Sequence, residues 1–147
     1  MSFFKRMRIR PEKRGTRVAL FDLEADIMDI VWDREWDSFC VQDVLDVLRE
    51  GREVAYTTVM TTVKRLFDKG LLRRRKDGRR YLYEPVSGRG EFYAAIAVDV
   101  MRSLPDSGQE AAMSMLIDSI TDAESIERLE RMIAARKAAE AAGGDVE

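Results

Sequence analysis

Between Tyr56 and Arg80 the chain gathers side chains suited to one kind of chemistry, the binding of a polyanion. Tyr56, Thr57, Thr58, Thr61 and Thr62 supply hydroxyls, and Lys64 and Arg65 supply cations one turn further on. Arg73, Arg74, Arg75, Lys76, Arg79 and Arg80 follow. Residues 64–80 hold 9 basic side chains against 2 acidic ones, whereas residues 18–63 hold 3 against 11. Hydroxyls and guanidinium groups bind phosphate oxygens and base edges, and a threonine methyl packs against the thymine methyl. A helix face meant only for solvent carries Glu, Lys and Gln, which form helices better than Thr. Charge runs are also found on faces that are simply solvated; hydroxyls and cations converging on one face favour binding.

Catalytic chemistry lacks its parts. There is no His among 147 residues and a single Cys, so the commonest general base, the commonest metal ligand and an internal disulfide are all missing. No glycine-rich phosphate loop and no serine–base arrangement is present. The composition therefore points to a binding protein without cofactor or metal rather than an enzyme.

The elements that must position these residues are legible in the periodicity. Leu23, Ile27, Ile30 and Val31 form one helical stripe from Asp22, which reads as the N-cap, to Trp32. A second helix reads from Val41 to Glu50, with Val41, Val44, Leu45 and Leu48 apolar and Gly51 as its stop. The third runs from about Tyr56 to Lys69 and ends at Gly70. Val59, Val63, Leu66 and Phe67 mark its buried side; Thr57, Thr58, Thr61, Lys64 and Arg65 lie opposite, with Thr62 at the flank. The period then changes to 2. Residues 71–76, the turn pair Asp77-Gly78 and residues 79–83 read as a β-hairpin closed by Pro85. Three helices followed by such a hairpin make a winged helix-turn-helix domain, so the fold class is mainly α with a small β-hairpin.

Three further helices are expected at about 91–104, 109–121 and 123–140. Phe92, Tyr93, Ile96, Val100, Met101 and Leu104 make the first of these apolar on several sides. Met113, Leu116, Ile117, Ile120, Leu129 and Ile133 offer further seams. An arm of this size cannot cover such faces alone, which predicts a homodimer. The expected organisation is a basic flexible tail (1–17), a winged-helix domain (18–86), a helical dimerisation domain (87–140) and a disordered tail (141–147). No apolar run is long enough to cross a membrane and the N-terminus lacks a signal-peptide core, so the expected location is cytoplasmic.

The run from Ala55 to Leu72, AYTTVMTTVKRLFDKGLL, closely resembles the penicillinase-repressor family (BlaI/MecI/CopY type). The stretches Leu23–Trp32 and Asp77–Tyr83 resemble its first helix and wing. The similarity covers about residues 18–86, with a helical arm of suitable length beyond. The resemblance implies a bacterial transcriptional repressor that binds a palindromic double-stranded operator as a homodimer. Carried over, Thr57, Thr58, Thr61, Thr62 and Arg65 would read the operator, and Lys64 and the wing cations would contact phosphates.

The chain also departs from the family. Copper-responsive members carry a cysteine pair near the C-terminus; this chain has none there, so a metal sensor is disfavoured. No cleavage site for a sensor protease can be read, and a small-molecule inducer stays open. Cys40 stands where the family tends to place a threonine; it reads as a half-buried hydrophobe or, alternatively, as an oxidant-sensing thiol. Outside this function class, the same basic wing could serve a protein–protein module that binds an acidic partner.

Overall fold

The computed structural model describes residues 9–10 and 12–144, and they divide into two compact units, one ending at Val100 and the other beginning at Met101. In the first, a short 3-10 helix (Gly15–Val18) precedes α1 (Asp22–Asp33), α2 (Val41–Arg49), α3 (Tyr56–Asp68), β1 (Leu72–Asp77) and β2 (Arg80–Pro85). Next comes α4 (Arg89–Ser103), followed by α5 (Asp106–Asp118) and α6 (Ala123–Gly143). The winged helix-turn-helix fold expected from the sequence is present.

One cluster of buried side chains holds the first unit together. Ile27, Met28 and Val31 of α1 meet Val44, Leu45 and Leu48 of α2 and Val59, Val63 and Leu66 of α3, and all nine are at most 7% exposed. Capping differs in one detail from the sequence reading. Phe21, not Asp22, is the N-cap of α1, and Glu24 Oε1 accepts the Phe21 N–H at 3.0 Å. Glu24 is itself buried, and Lys69 Nζ at the end of α3 stands 2.8 Å from each of its carboxylate oxygens. This ion pair ties the start of α1 to the far end of α3.

The hairpin is antiparallel, with Arg74 opposite Tyr83 and Lys76 opposite Tyr81. Gly78 takes φ +64° in the tight turn, a conformation that costs glycine little. A lone two-stranded hairpin is marginal in water. Here Phe39 extends it: Phe39 N–H donates to Tyr83 O at 2.9 Å and Tyr83 N–H to Phe39 O at 2.8 Å. Their rings stack with centroids 5.9 Å apart. Leu71, Leu72 and Tyr83 are buried, so the wing is fastened to the helices along its base.

Several sequence expectations need correction. The first unit reaches Val100 rather than ending at 86, because α4 inserts Phe92 and Ile96 into its core. Phe92 is fully buried, 5.3 Å from the Trp32 ring centre to centre, so it and Ile96 are core residues and not free for a dimer surface. The start of α4 is tied down as well: Arg89 bonds Asp33 at 2.7 Å and Asp29 at 3.4 Å, and the Asp33 bond chiefly raises its pKa. The described part of the basic tail is packed rather than free. Thr16 is buried and donates to Asp29 at 3.1 Å, Arg17 pairs with Asp22 and Asp26, and Arg10 donates to Leu20 O. Residues 1–8 and 11 lie outside the described residues. Pro105 serves as N-cap of α5, so that helix begins at 106 rather than 109. The alanine-rich end continues α6 to Gly143, as alanine's helix propensity favours, instead of forming a tail; 145–147 lie outside the described residues.

In the second unit, neither α5 nor α6 has a buried residue. Met113, Leu116, Ile117 and Ile133 are 50%, 58%, 60% and 54% exposed, while Met101, Leu104, Ile120 and Leu129 are half-buried. Asp122 caps α6 by accepting the Ser125 N–H at 2.7 Å, and its hydrogen bonding to Ser125 lowers its pKa. The cap's contribution is complete above the ordinary aspartate range and is lost as the pH falls through the lowered pKa.

The Glu24–Lys69 pair yields a stability prediction. Glu24→Ala strands a largely covered ammonium and a helix-start N–H, and should cost about 3 kcal/mol in urea unfolding at neutral pH. Pairing Glu24→Met with Lys69→Met should restore much of that loss. A single-variant cost under about 0.5 kcal/mol, the range of ordinary surface changes, would show that the pair does not fasten the helices.

Candidate nucleic-acid interface

The α3 face is set by which side the core claims. With Val59, Val63 and Leu66 turned inward, the backbone places Tyr56, Thr57, Thr58, Met60, Thr61, Lys64 and Arg65 on the exposed side. Thr62 does not join them. It is 5% exposed, its hydroxyl donates to Thr58 O at 2.8 Å, and it lies on the core side of the helix. A β-branched residue with a back-bonded hydroxyl is cheap to bury, so its operator-reading role is withdrawn. Thr61 also donates to the backbone, to Thr57 O at 2.8 Å, but stays exposed with acceptor capacity to spare. Thr57 and Thr58 hydroxyls have no hydrogen-bond partner among the described residues.

Strand alternation sorts the wing cations into two groups. Leu72, Arg74 and Lys76 share one face with Tyr81 and Tyr83. There the Arg74 guanidinium is held between two rings, 4.1 Å from the centre of Phe67 on α3 and 4.2 Å from that of Tyr81. Arg74 is therefore a strut between helix and wing rather than a free phosphate ligand. Arg73 and Arg75 lie on the other face, where Glu84 sits 3.8 and 3.4 Å from them. Arg80 pairs with Asp77 at 3.4 Å, and Lys64 with Asp68 at 3.2 Å. Arg65, Lys76 and Arg79 carry no ion pair among the described residues, which leaves them the readiest cations for an incoming anion.

The sequence reading missed four participants. Met60 stands 43% exposed among the threonines. Glu84 is the local counter-charge of the wing, Phe39 its backbone anchor, and Lys69 the partner of Glu24. Met60 was visible from helical spacing, since it falls between Val59 and Thr61 off the apolar stripe. The other three depend on contacts between residues distant in sequence. Cys40 is the N-cap of α2, 7% exposed, with its N–H bonded to Asp43 at 2.8 Å and Arg80 Nη1 3.6 Å from Sγ.

The family model of the penicillinase repressor matches residues 20–135. The transcriptional regulator BlaI of Mycobacterium tuberculosis is 37% identical over 116 residues, covering 78% of this chain and 83% of that protein. Among solved structures, the solution structure of the DNA-binding domain of the repressor BlaI is 28% identical and covers 46% of this chain and 80% of that one, with a TM-score of 0.41. MepR, a transcription regulator of the Staphylococcus aureus multidrug efflux pump MepA, is 15% identical, with 82% and 79% covered and a TM-score of 0.42. Of the described residues, no helix is long and apolar enough to cross a membrane, and no cluster of possible metal ligands occurs.

The arrangement of the wing separates its arginines by consequence for folding. Removing the double ring contact in Arg74→Ala should cost about 1–2 kcal/mol in thermal or urea unfolding. Arg73→Ala removes one exposed ion pair and should cost under about 0.5 kcal/mol. Equal costs would mean that Arg74 is not a strut.

Proposed function

The chain belongs to the penicillinase repressor family, and from this membership we propose that it represses transcription as a homodimer on a palindromic operator, with α3 in the major groove and the wing along the flanking phosphates. The single observation that carries the reading is the exposed face of α3. It offers Thr57, Thr58, Thr61 and Arg65 together, with no carboxylate before Asp68. Thr57 and Thr58 present hydroxyls unpaired among the described residues, and Arg65 can reach a guanine edge with two of its guanidinium N–H donors. Lys64, Arg73, Arg75, Lys76, Arg79 and Arg80 then serve as phosphate contacts, with Arg74 fixing the wing's angle. DNA must compete with Glu84 for Arg73 and Arg75, so these two bind phosphate only at the expense of an existing pair.

The homodimer reading rests on the exposed faces of α5 and α6. Met113, Leu116, Ile117 and Ile133 keep half or more of their surface open to solvent. A second copy would cover them without requiring any new residue type. Two recognition helices related by a two-fold axis would match two operator half-sites. The site of action is then the cytoplasm, where such an operator is found.

Four outcomes test the proposal. Footprinting on DNA upstream of the protein's own gene should reveal a protected palindrome that resists competitor DNA; binding without a preferred site would reject sequence-specific repression. Arg65→Ala should lose about 1–3 kcal/mol of discrimination between operator and random DNA. An equal loss on both would make Arg65 a phosphate contact. Replacing Arg73 and Arg75 with Gln should flatten the logarithmic salt dependence by roughly one unit for each phosphate that is no longer neutralised. For the dimer, Leu116→Arg with Ile117→Arg should yield a monomer in sedimentation equilibrium; an unchanged mass would move the interface elsewhere.

A further inference from the structure

We propose that the groove between α2, α3 and the wing binds a small amphipathic organic anion, an aromatic body carrying a carboxylate. The groove has a volume of about 660 Å3, inside the range of roughly 300–1,000 Å3 for pockets that take small organic ligands. Its floor and walls include Val41, Met60, Tyr81 and Tyr83, and no Asp or Glu is among its lining residues. Val41 and Tyr83 are nearly covered, whereas Met60 and Tyr81 are 43% and 38% exposed and present apolar surface to the opening.

The cations of the groove differ in availability. Lys64 and Arg80 already hold Asp68 and Asp77, and Arg74 is stacked between Phe67 and Tyr81. Arg79 has no ion-pair partner among the described residues. The groove therefore offers one unengaged guanidinium beside an apolar floor, within a positive field. A bare phosphate satisfies the guanidinium and leaves Met60 and Tyr81 wet. A neutral apolar molecule covers the floor and leaves the charge unanswered. An aromatic carboxylate satisfies both, by a charge-assisted fork and by ring and thioether contacts.

The groove shares Tyr56, Met60, Thr61 and Lys64 with the exposed face of α3, and Arg79 with the wing. An organic anion seated there and duplex DNA lying across α3 would therefore compete for these side chains, so each should weaken the other's binding. That consequence rests on the operator-binding reading; the site itself does not.

The test uses the full-length protein and 2-naphthoate as probe, first without DNA. Calorimetry should show saturable binding of one molecule per chain. 2-Naphthalenemethanol should bind about tenfold or more weakly, the value of a charge-assisted hydrogen bond. Inorganic phosphate at the same concentrations should give no comparable saturation. Arg79→Ser, at an exposed turn, should weaken the probe about tenfold by the same bond, and Met60→Glu should abolish binding; unchanged melting temperatures would exclude unfolding as the cause. Failure of naphthoate to bind, equal binding of phosphate or of the alcohol, or indifference to both variants would each overturn the site. With operator DNA added, saturating naphthoate should raise the DNA dissociation constant. Naphthoate binding that leaves DNA affinity unchanged would keep the site and overturn its regulatory role, whereas a chain that binds naphthoate but no DNA would fail the operator reading alone.

Discussion

The wing exists as an ordered element because Phe39 and Tyr83 exchange two backbone hydrogen bonds and stack their rings. Two short strands with six basic residues between Arg73 and Arg80 could not hold themselves against water. The Phe39 bridge pins the outer edge of the second strand at one residue, and burial of Leu71, Leu72 and Tyr83 fixes which face turns toward the helices. Once that face is set, alternation leaves no freedom. Arg74 must point at Phe67, and Arg73 and Arg75 must point away. The groove bounded by α2, α3 and the wing is a consequence of the same fastening, since Tyr83 forms part of its floor.

Charge is organised around this frame in layers. Glu24 and Lys69 make a buried pair whose role is to hold α1 against the end of α3. Around α1, Arg17 and Arg52 share Asp26, while Arg89 bridges Asp29 and Asp33. The abundant carboxylates of residues 18–63 are thus partly consumed in bracing α1 to its neighbours. The exposed face of α3 contains none before Asp68. That separation keeps the negative charge of the domain away from the surface that would meet a polyanion.

The two units use apolar residues in opposite ways. In the first, aliphatic side chains from several elements interlock and the apolar stripes of α1, α2 and α3 are largely withdrawn from solvent. In the second, α5 and α6 keep theirs at the surface. Helix α4 shows why periodicity alone could not divide them. Its apolar residues occupy several sides; Phe92 and Ile96 are spent on the first core, while Tyr93 and Val100 stay exposed. A helix apolar on many sides announces several contacts but not which belongs to which partner.

The sequence by itself determined the element types, the winged-helix class, the family and most of the α3 face. Each follows from local signals: a 3.6-residue stripe, an Asp-Gly turn, a capping glycine and a contiguous motif. It placed Thr62 wrongly because a flank position differs from a buried one by a small rotation that only neighbouring elements set. It also treated the wing cations as one brush, although the strand period already divided them. Tertiary structure alone decided that Arg74 is a strut, that Glu84 restrains Arg73 and Arg75, that Lys69 closes on Glu24 and that Phe39 anchors Tyr83. Except for the wing's own pairing, these contacts join different elements, and their geometry follows from how those elements pack rather than from any spacing along the chain.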